Sequence, residues 1–187
     1  MKAMVMETVG IENLRLKSLP DPKPGPGQVL VRLRAASLNF RDVLALRGGY
    51  GSRQKQSNLI PLSDGAGEVV DIGPGVRHFK TGDRVVNSFF PGWFDGPPQE
   101  RFLQQDLGGM EDGVACELRV FSEEALVPIP SGLSFVQAAT LPCAAVTAWN
   151  AVRAQGQIGP EDAVLTQGSG GVAIFALQFA RAAGARV

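Results

Sequence analysis

The chain has 187 residues, 44% of them hydrophobic and 19% charged, and its 18 Lys and Arg balance 18 Asp and Glu. This is the composition of a soluble globular protein with one full domain and room for the start of another. No basic run offers a nucleic-acid face, and the longest strongly apolar stretch, "VAIFALQFA", is too short to cross a bilayer. Cys116 and Cys143 are too few for a disulfide framework or a four-Cys zinc lobe. Free thiols, and a start ("MKAMVMETVG") without the apolar core of a signal peptide, point to a cytoplasmic protein.

The first two-thirds read as β-rich. "KAMVM" and "LRLKSLP" are short strands, the second alternating apolar and charged residues. After the Pro/Gly turn "PDPKPGPGQ", the strand "VLVRLRAA" puts Val29, Val31 and Leu33 on one face and Leu30 with Arg32 and Arg34 on the other. "LNFRDVLALRGG" predicts a short helix closed by Gly48 and Gly49. "GAGEVVDIG" and "GDRVVNSFF" are strands joined through "PGVRHFKTGD", where the only histidine, His78, reads as a surface residue. Residues 91 to 113 read as an irregular surface excursion, after which "ACELRVF" and "ALVPIP" resume strand character. Many short strands with turn residues between them predict a small barrel or sandwich.

The pattern changes near Ser134. "SFVQAAT" carries the Ser-x-x-Gln capping box, and "CAAVTAWNAVRAQG" is an Ala-rich helix ending at Gly156. Then "VLTQGSGGVAIFALQFARAAGARV" reads as strand (Val164 to Thr166), glycine turn, helix and the beginning of another strand. In a dinucleotide-binding unit the first glycine makes the tight turn and the second admits the pyrophosphate. A third small residue lets helix and strand pack closely. Gly168, Gly170 and Ala173 hold these places, and Gly168, Ser169, Gly170, Gly171, Val172 and Ala173 are the candidate cofactor-binding residues. The following helix would turn free N–H groups and its positive dipole end toward phosphate. The residue that reads the ribose falls about 20 positions after the first glycine, just past Val187. The choice between NAD and NADP is therefore open, and the sequence reads as the opening of a nucleotide fold cut short.

The stretches "PGPGQVLVRLRAASLNFRDVLALRG", "PLSDGAGEVVDIGPGV", "FKTGDRVV", "AATLPCAAVTAWNAV" and "VLTQGSGGVAIFALQFARAAGARV" occur here in this order. Together they resemble the medium-chain dehydrogenase/reductase superfamily, in its zinc-independent quinone-oxidoreductase and alcohol-dehydrogenase-like branch. The resemblance implies an α/β protein: a GroES-like β-rich barrel domain over residues 1–133, then the incomplete start of a Rossmann NAD(P)-binding domain over 134–187. It also implies hydride transfer with NAD or NADP on a small-molecule substrate, and it leaves a homo-oligomer open for the complete protein.

Zinc-dependent members have a Cys where this chain has Asn39, and a His-Glu pair where it has Ser63 and Asp64. Asn and Ser are poor zinc ligands. Cys143 matches a third ligand position, but a buried small residue in an Ala-rich helix accounts for it. No metal site is expected. Polarising a carbonyl without a metal needs hydrogen-bond donors at the developing oxyanion. By resemblance the "LNFRD" segment faces the nicotinamide, which makes Asn39 and Arg41 the candidate donors. Asp42 would orient the segment, pair with an Arg, or serve as a helix-start carboxylate. Thr147 matches a threonine that in relatives lies against the nicotinamide ring; a helical Thr bonded back to a carbonyl is the alternative. Tyr50 is a possible phenol donor or a plain loop aromatic.

The expected function is zinc-independent, NAD(P)-dependent reduction or oxidation of a quinone, enone or small alcohol or aldehyde. The 187-residue chain by itself is expected to be inactive, because half a Rossmann sheet cannot enclose the adenine ribose. The alternatives are a non-catalytic GroES-like module that binds a partner through its exposed apolar helix, and a zinc alcohol dehydrogenase, which Asn39 and Ser63 disfavour.

Overall fold

The computed structural model describes residues 1–187. The chain forms two compact units, Met1–Ala139 and Thr140–Val187.

The first unit is built on antiparallel strands. β1 (Lys2–Met6) and β2 (Leu14–Ser18) pair as a two-stranded sheet. A five-stranded sheet runs in the order β6-β3-β4-β5-β7. Its members are β3 (Gln28–Ser37), β4 (Asp64–Ile72), β5 (Arg84–Asn87), β6 (Leu118–Ser122) and β7 (Leu126–Pro128). The β-branched residues of these strands supply the core: Val29, Val31, Val69 and Val85 pack with Phe121 and Leu126. Leu30, placed on the polar face of β3 by alternation, is buried as well. The register shift against β4 leaves Val70 of β4 as the extra residue, while β3 pairs with β6 without a break, so β3 keeps its alternation and Leu30 is buried outside the cluster that holds Val29 and Val31.

Between β3 and β4 lies α1 (Phe40–Leu46), which buries Asp42, Ala45 and Leu46. After β7 comes α3 (Phe135–Ala139), whose expected capping box is formed. Ser134 N–H donates to Gln137 Oε1 at 2.9 Å, and Gln137 N–H donates to Ser134 Oγ at 3.2 Å. Ala138 and Ala139 then close over Ala66, Val86 and Ile129. His78 is exposed, as its polar turn implied.

The excursion from Pro91 to Gly113 departs from the sequence expectation. Its first part does lie at the surface and contains one short helix, α2 (Glu100–Leu103). Aromatic rings organise it: Trp93 stacks on Phe102 with centroids 5.9 Å apart, and Phe90 packs against Trp93. Its last part runs inward. Leu107 and Val114 are 1% exposed and belong to the main core. Gly113 N–H donates to Ile60 O at 2.6 Å, and Val114 N–H to Leu62 O at 3.0 Å. The backbones meet so closely that a Cβ at Gly113 would collide with the Leu62 carbonyl. Leu62 itself has φ +72, a left-handed conformation unusual for a non-glycine residue. Glycine at 113 permits the approach that a composition-based loop assignment overlooks.

In the second unit, α4 (Val146–Trp149) is flanked by wider π turns at Leu141–Ala145 and Asn150–Gln155, and Gly156 caps the end. α5 (Gly171–Ala182) follows the glycine turn, and Gly184, with φ +86, lies just beyond it. The expected strand at Val164 to Thr166 is not formed as such. A single parallel bridge joins Ala163 to Arg186, with Val164 N–H donating to Arg186 O at 2.8 Å. A parallel strand needs an extended neighbour, and within this chain only the last residues supply one.

Candidate active site

The site in the first unit is organised by the start of α1. Asn39 occupies the N-cap with extended backbone angles, φ −121 and ψ 156, and makes a capping box with Asp42. Asp42 Oδ2 accepts the Asn39 backbone N–H at 2.7 Å. The Asn39 side-chain nitrogen Nδ2 is buried and has no hydrogen-bond partner. An unsatisfied buried donor costs about 1–3 kcal/mol, so such a group stands out unless a ligand completes it.

Arg41 leaves the same turn and is fully engaged. Its Nη1 donates to Leu107 O at 2.8 Å and to Asp42 Oδ1 at 3.4 Å, and its Nη2 pairs with Asp106 Oδ2. The guanidinium also lies 4.9 Å from the Phe89 ring centre and 5.7 Å from that of Tyr50. Asp42 is 2% exposed. Burial pushes its carboxyl above the ordinary 3.8, and nearby Asp64 adds to the rise; the Asn39 N–H and Arg41 oppose it. Asp106 is raised too, again by burial, which outweighs the Arg41 charge beside it.

Ser63 and Asp64 form the floor of this region at the start of β4, and both are fully buried. Ser63 Oγ donates to Asp64 Oδ1 at 2.6 Å. Asn87 on β5 fixes them from the far side: its Nδ2 donates to Ser63 O at 2.8 Å, and its Oδ1 accepts Gly65 N–H at 2.8 Å. Asn39, Arg41 and Asp42 thus share one helix turn. The excursion that supplies Asp106 and Leu107 lies 65 residues away in sequence, and sequence reasoning missed both. The acid and paired glycines of "DLGGMEDG" are the only local signal for them.

The second unit holds the other candidates. Thr147 lies exposed on α4. Gly168 has φ +80, and a Cβ at Gly168 or Gly170 would meet nothing within 4 Å. The turn therefore presents open backbone ahead of α5, where the leading N–H groups of a helix have no partners within it. That cradle fits a phosphate group of a dinucleotide. The close approach occurs at Gly171, whose added Cβ would lie 3.1 Å from Ala144 Cβ.

The donors available for a zinc ion fit it poorly. Asn39 offers a neutral amide and Ser63 a hydroxyl, both poor ligands for zinc. In neither unit do three His, Cys, Asp or Glu side chains converge as a metal site requires.

Residues 25–131 match the alcohol dehydrogenase GroES-like domain family. The chain belongs to this family. It is 45% identical over 184 residues to a zinc-type alcohol dehydrogenase-like protein of Schizosaccharomyces pombe, covering 97% of this chain and 53% of that protein. A quinone oxidoreductase of Pseudomonas aeruginosa is 35% identical over 179 residues, covering 95% of this chain and 48% of the relative. The solved structure of an NAD-dependent alcohol dehydrogenase superposes with a TM-score of 0.85 at 39% identity, covering 100% of this chain and 56% of that one. The chain therefore spans about half the length of the relatives it matches. The α/β architecture with a GroES-like N-terminal part is as the sequence led us to expect. No helix is long and apolar enough to cross a membrane.

Proposed function

We propose that this chain carries the catalytic part of an NAD(P)-dependent, zinc-independent oxidoreductase acting on a quinone, an enone or a small alcohol or aldehyde. The observation that carries the reading is the buried, unpartnered Asn39 Nδ2 at the N-cap of α1. A side-chain amide donor can stabilise oxygen as it gains negative charge, the task zinc performs in metal-dependent relatives. The nicotinamide cofactor, when bound, supplies or accepts the hydride. Asn39 donates to the substrate oxygen. Asp42 holds the Asn39 backbone, and Arg41 holds Asp42. A bound cofactor would have room for its pyrophosphate at Gly168 and Gly170, the leading N–H groups of α5 would receive it, and exposed Thr147 would lie against the nicotinamide ring. Solvent or the cofactor's ribose hydroxyl would supply the proton in reduction and take it up in oxidation. The name of the Schizosaccharomyces pombe relative includes zinc, whereas the donor set at Asn39 and Ser63 argues for a metal-free site in this chain.

The test is NAD(P)H oxidation with 1,4-benzoquinone and with an enone, measured on the native gene product before and after chelation and with Asn39→Ala. Activity should survive chelation, and Asn39→Ala should lower kcat about 100-fold or more. Loss of activity on chelation, restored by zinc, would overturn the metal-free reading. Unchanged kcat in Asn39→Ala would remove Asn39 from the mechanism.

A second reading is favoured by the exposed apolar side chains Leu165, Val172, Ile174 and Leu177, which suit a partner surface or a homo-oligomer. Light scattering on the 187-residue chain decides it, since a monomer that binds no apolar dye would leave that reading without support.

A further inference from the structure

We propose that Asp106 is a positioning residue: through Arg41 and Asp42 it fixes the start of α1 so that the Asn39 amide stays aimed at the substrate oxygen. The inference rests on the role given to Asn39 above and extends it to a residue in a different part of the chain.

The links are continuous. Asp106 Oδ1 accepts the Met110 N–H at 3.2 Å, which anchors the carboxylate within its own loop. Its Oδ2 pairs with Arg41 Nη2. Arg41 Nη1 reaches Leu107 O at 2.8 Å and Asp42 Oδ1 at 3.4 Å. Asp42 Oδ2 accepts the Asn39 N–H at 2.7 Å. Every member is shielded from water: the side chains of Arg41 and Asp106 are 10% and 14% exposed, and that of Asp42 is 2% exposed. The Phe89 and Tyr50 rings border the guanidinium, so it has few alternative orientations.

The physical consequence follows from charge. Arg41 is shared between two carboxylates, with the shorter contact to Asp106 and the longer to Asp42. Without the Asp106 charge, the buried guanidinium has Asp42 as its remaining ionic partner and moves toward it. Asp42 is then drawn from the Asn39 N–H, and the N-cap loosens. A displacement of about 1 Å in a catalytic group can cost about 100-fold in rate. Asp106 touches no reacting atom in this scheme; its effect passes through Arg41.

The test introduces Asp106→Asn, Asp106→Glu and Arg41→Lys into the native gene, with Asp112→Asn as control. Asp112 pairs with Lys55 at 3.1 Å in the same loop but has no link to Arg41. Kinetics of benzoquinone and enone reduction are measured, and the Asn39 side-chain amide signals of the 187-residue chain are followed by nitrogen-15 NMR. Asp106→Asn should lower kcat about 100-fold with KM nearly unchanged, and should shift the Asn39 amide signals. Asp106→Glu should recover part of both effects, and Asp112→Asn should show neither. Unchanged kcat and Asn39 signals in Asp106→Asn would overturn the proposal, as would a loss of equal size in Asp112→Asn. If the unaltered protein transfers no hydride to either probe, the functional reading fails, and the Asn39 signals alone decide the Asp106 link. If Asp106→Asn does not fold, Arg41→Lys decides, because it keeps the charge and removes the fork; the same losses sustain the proposal and their absence overturns it.

Discussion

In the first unit Val29, Val31, Val69 and Leu107 are at most 1% exposed, whereas in the second Leu165, Ile174 and Leu177 remain 86%, 45% and 39% exposed. Both units are rich in apolar residues, so composition does not account for the contrast. The antiparallel strands of the first unit are joined by connections that fold back over their own sheet, including the inward end of the 91–113 excursion. A strand–helix unit of parallel type must lay its helix on a sheet. In the second unit the sheet within reach is one bridge, Ala163 to Arg186. What is buried there is mostly small: Ala144, Ala145 and Ala148, and a cluster of Val152 with Ala180 of α5 and Ala185 just past its end. An open apolar groove of about 460 Å³ bordered by Val164, Leu165, Val172 and Ala176 lies beside α5.

Core truncation tests this contrast most strongly. Leu59 is 0% exposed, and Leu59→Ala should cost about 2–5 kcal/mol in urea unfolding. Ile174→Ala should change stability by no more than about 0.5 kcal/mol, since its side chain is already half in water. Similar losses at the two positions would mean that α5 is covered in solution.

The glycines sharpen the comparison. Gly113→Ala forces a Cβ against the Leu62 carbonyl and should cost about 1–3 kcal/mol. Gly170→Ala meets nothing within 4 Å and should unfold within about 0.5 kcal/mol of the parent. Its expected effect is on the ligand: NADH affinity, read by fluorescence titration of the native gene product, should fall roughly tenfold, about 1.4 kcal/mol. Undiminished NADH binding by Gly170→Ala would separate this turn from the cofactor.

These contrasts also mark what the sequence could reveal. The helix α1, with Asp42 as a carboxylate at its start, was legible as a local pattern, although Asn39 was read as a donor by resemblance and not as the N-cap that Asp42 completes. The box of Ser134 and Gln137 was legible for the same reason. Asp106 was not, since its partner Arg41 is 65 residues distant and nothing in "QDLGG" announces an inward turn. The strand at Val164 was over-read because β-propensity describes a segment, whereas a strand exists only with its neighbour. Alternation along β3 separated Leu30 from Val29 and Val31, but it could not show that Leu30 is buried too, because burial of the second face depends on what the rest of the chain lays over it.

A smaller effect is expected in the pH dependence of the first unit. The folded carboxyls of Asp42 and Asp106 lie above their ordinary value of 3.8. Their stabilising contribution is complete below that value and is lost as pH rises through the raised folded values. Glu7, Asp83 and Glu123 have lowered values and the opposite sign, losing their contribution as the solution is acidified. Asp106→Asn should therefore flatten the fall in stability as pH rises above 3.8 through the raised folded value, whatever it does to stability at neutral pH. Urea midpoints taken across that range give the slope, and a slope equal to the parent's would contradict the assignment.

The least expected change concerns a thiol whose loss of reactivity needs no change in stability. Burial pushes Cys116 up to about 11, with Asp112 and Glu117 adding to the rise and Arg119 opposing it. Its Sγ lies 3.3 Å from Leu118 O, a contact that suits the protonated thiol. The thiolate is the nucleophile in alkylation, and at pH 7 its fraction is roughly one in ten thousand, against a few per cent for an ordinary cysteine. Iodoacetamide should then modify native Cys116 at least about 100-fold more slowly than a free peptide thiol, with the difference vanishing in urea. Peptide mapping isolates this residue from Cys143. Alkylation of Cys116 in the folded chain at the peptide rate would show that the β1 edge, where Ala3 bridges to Cys116, opens far more often than its burial implies.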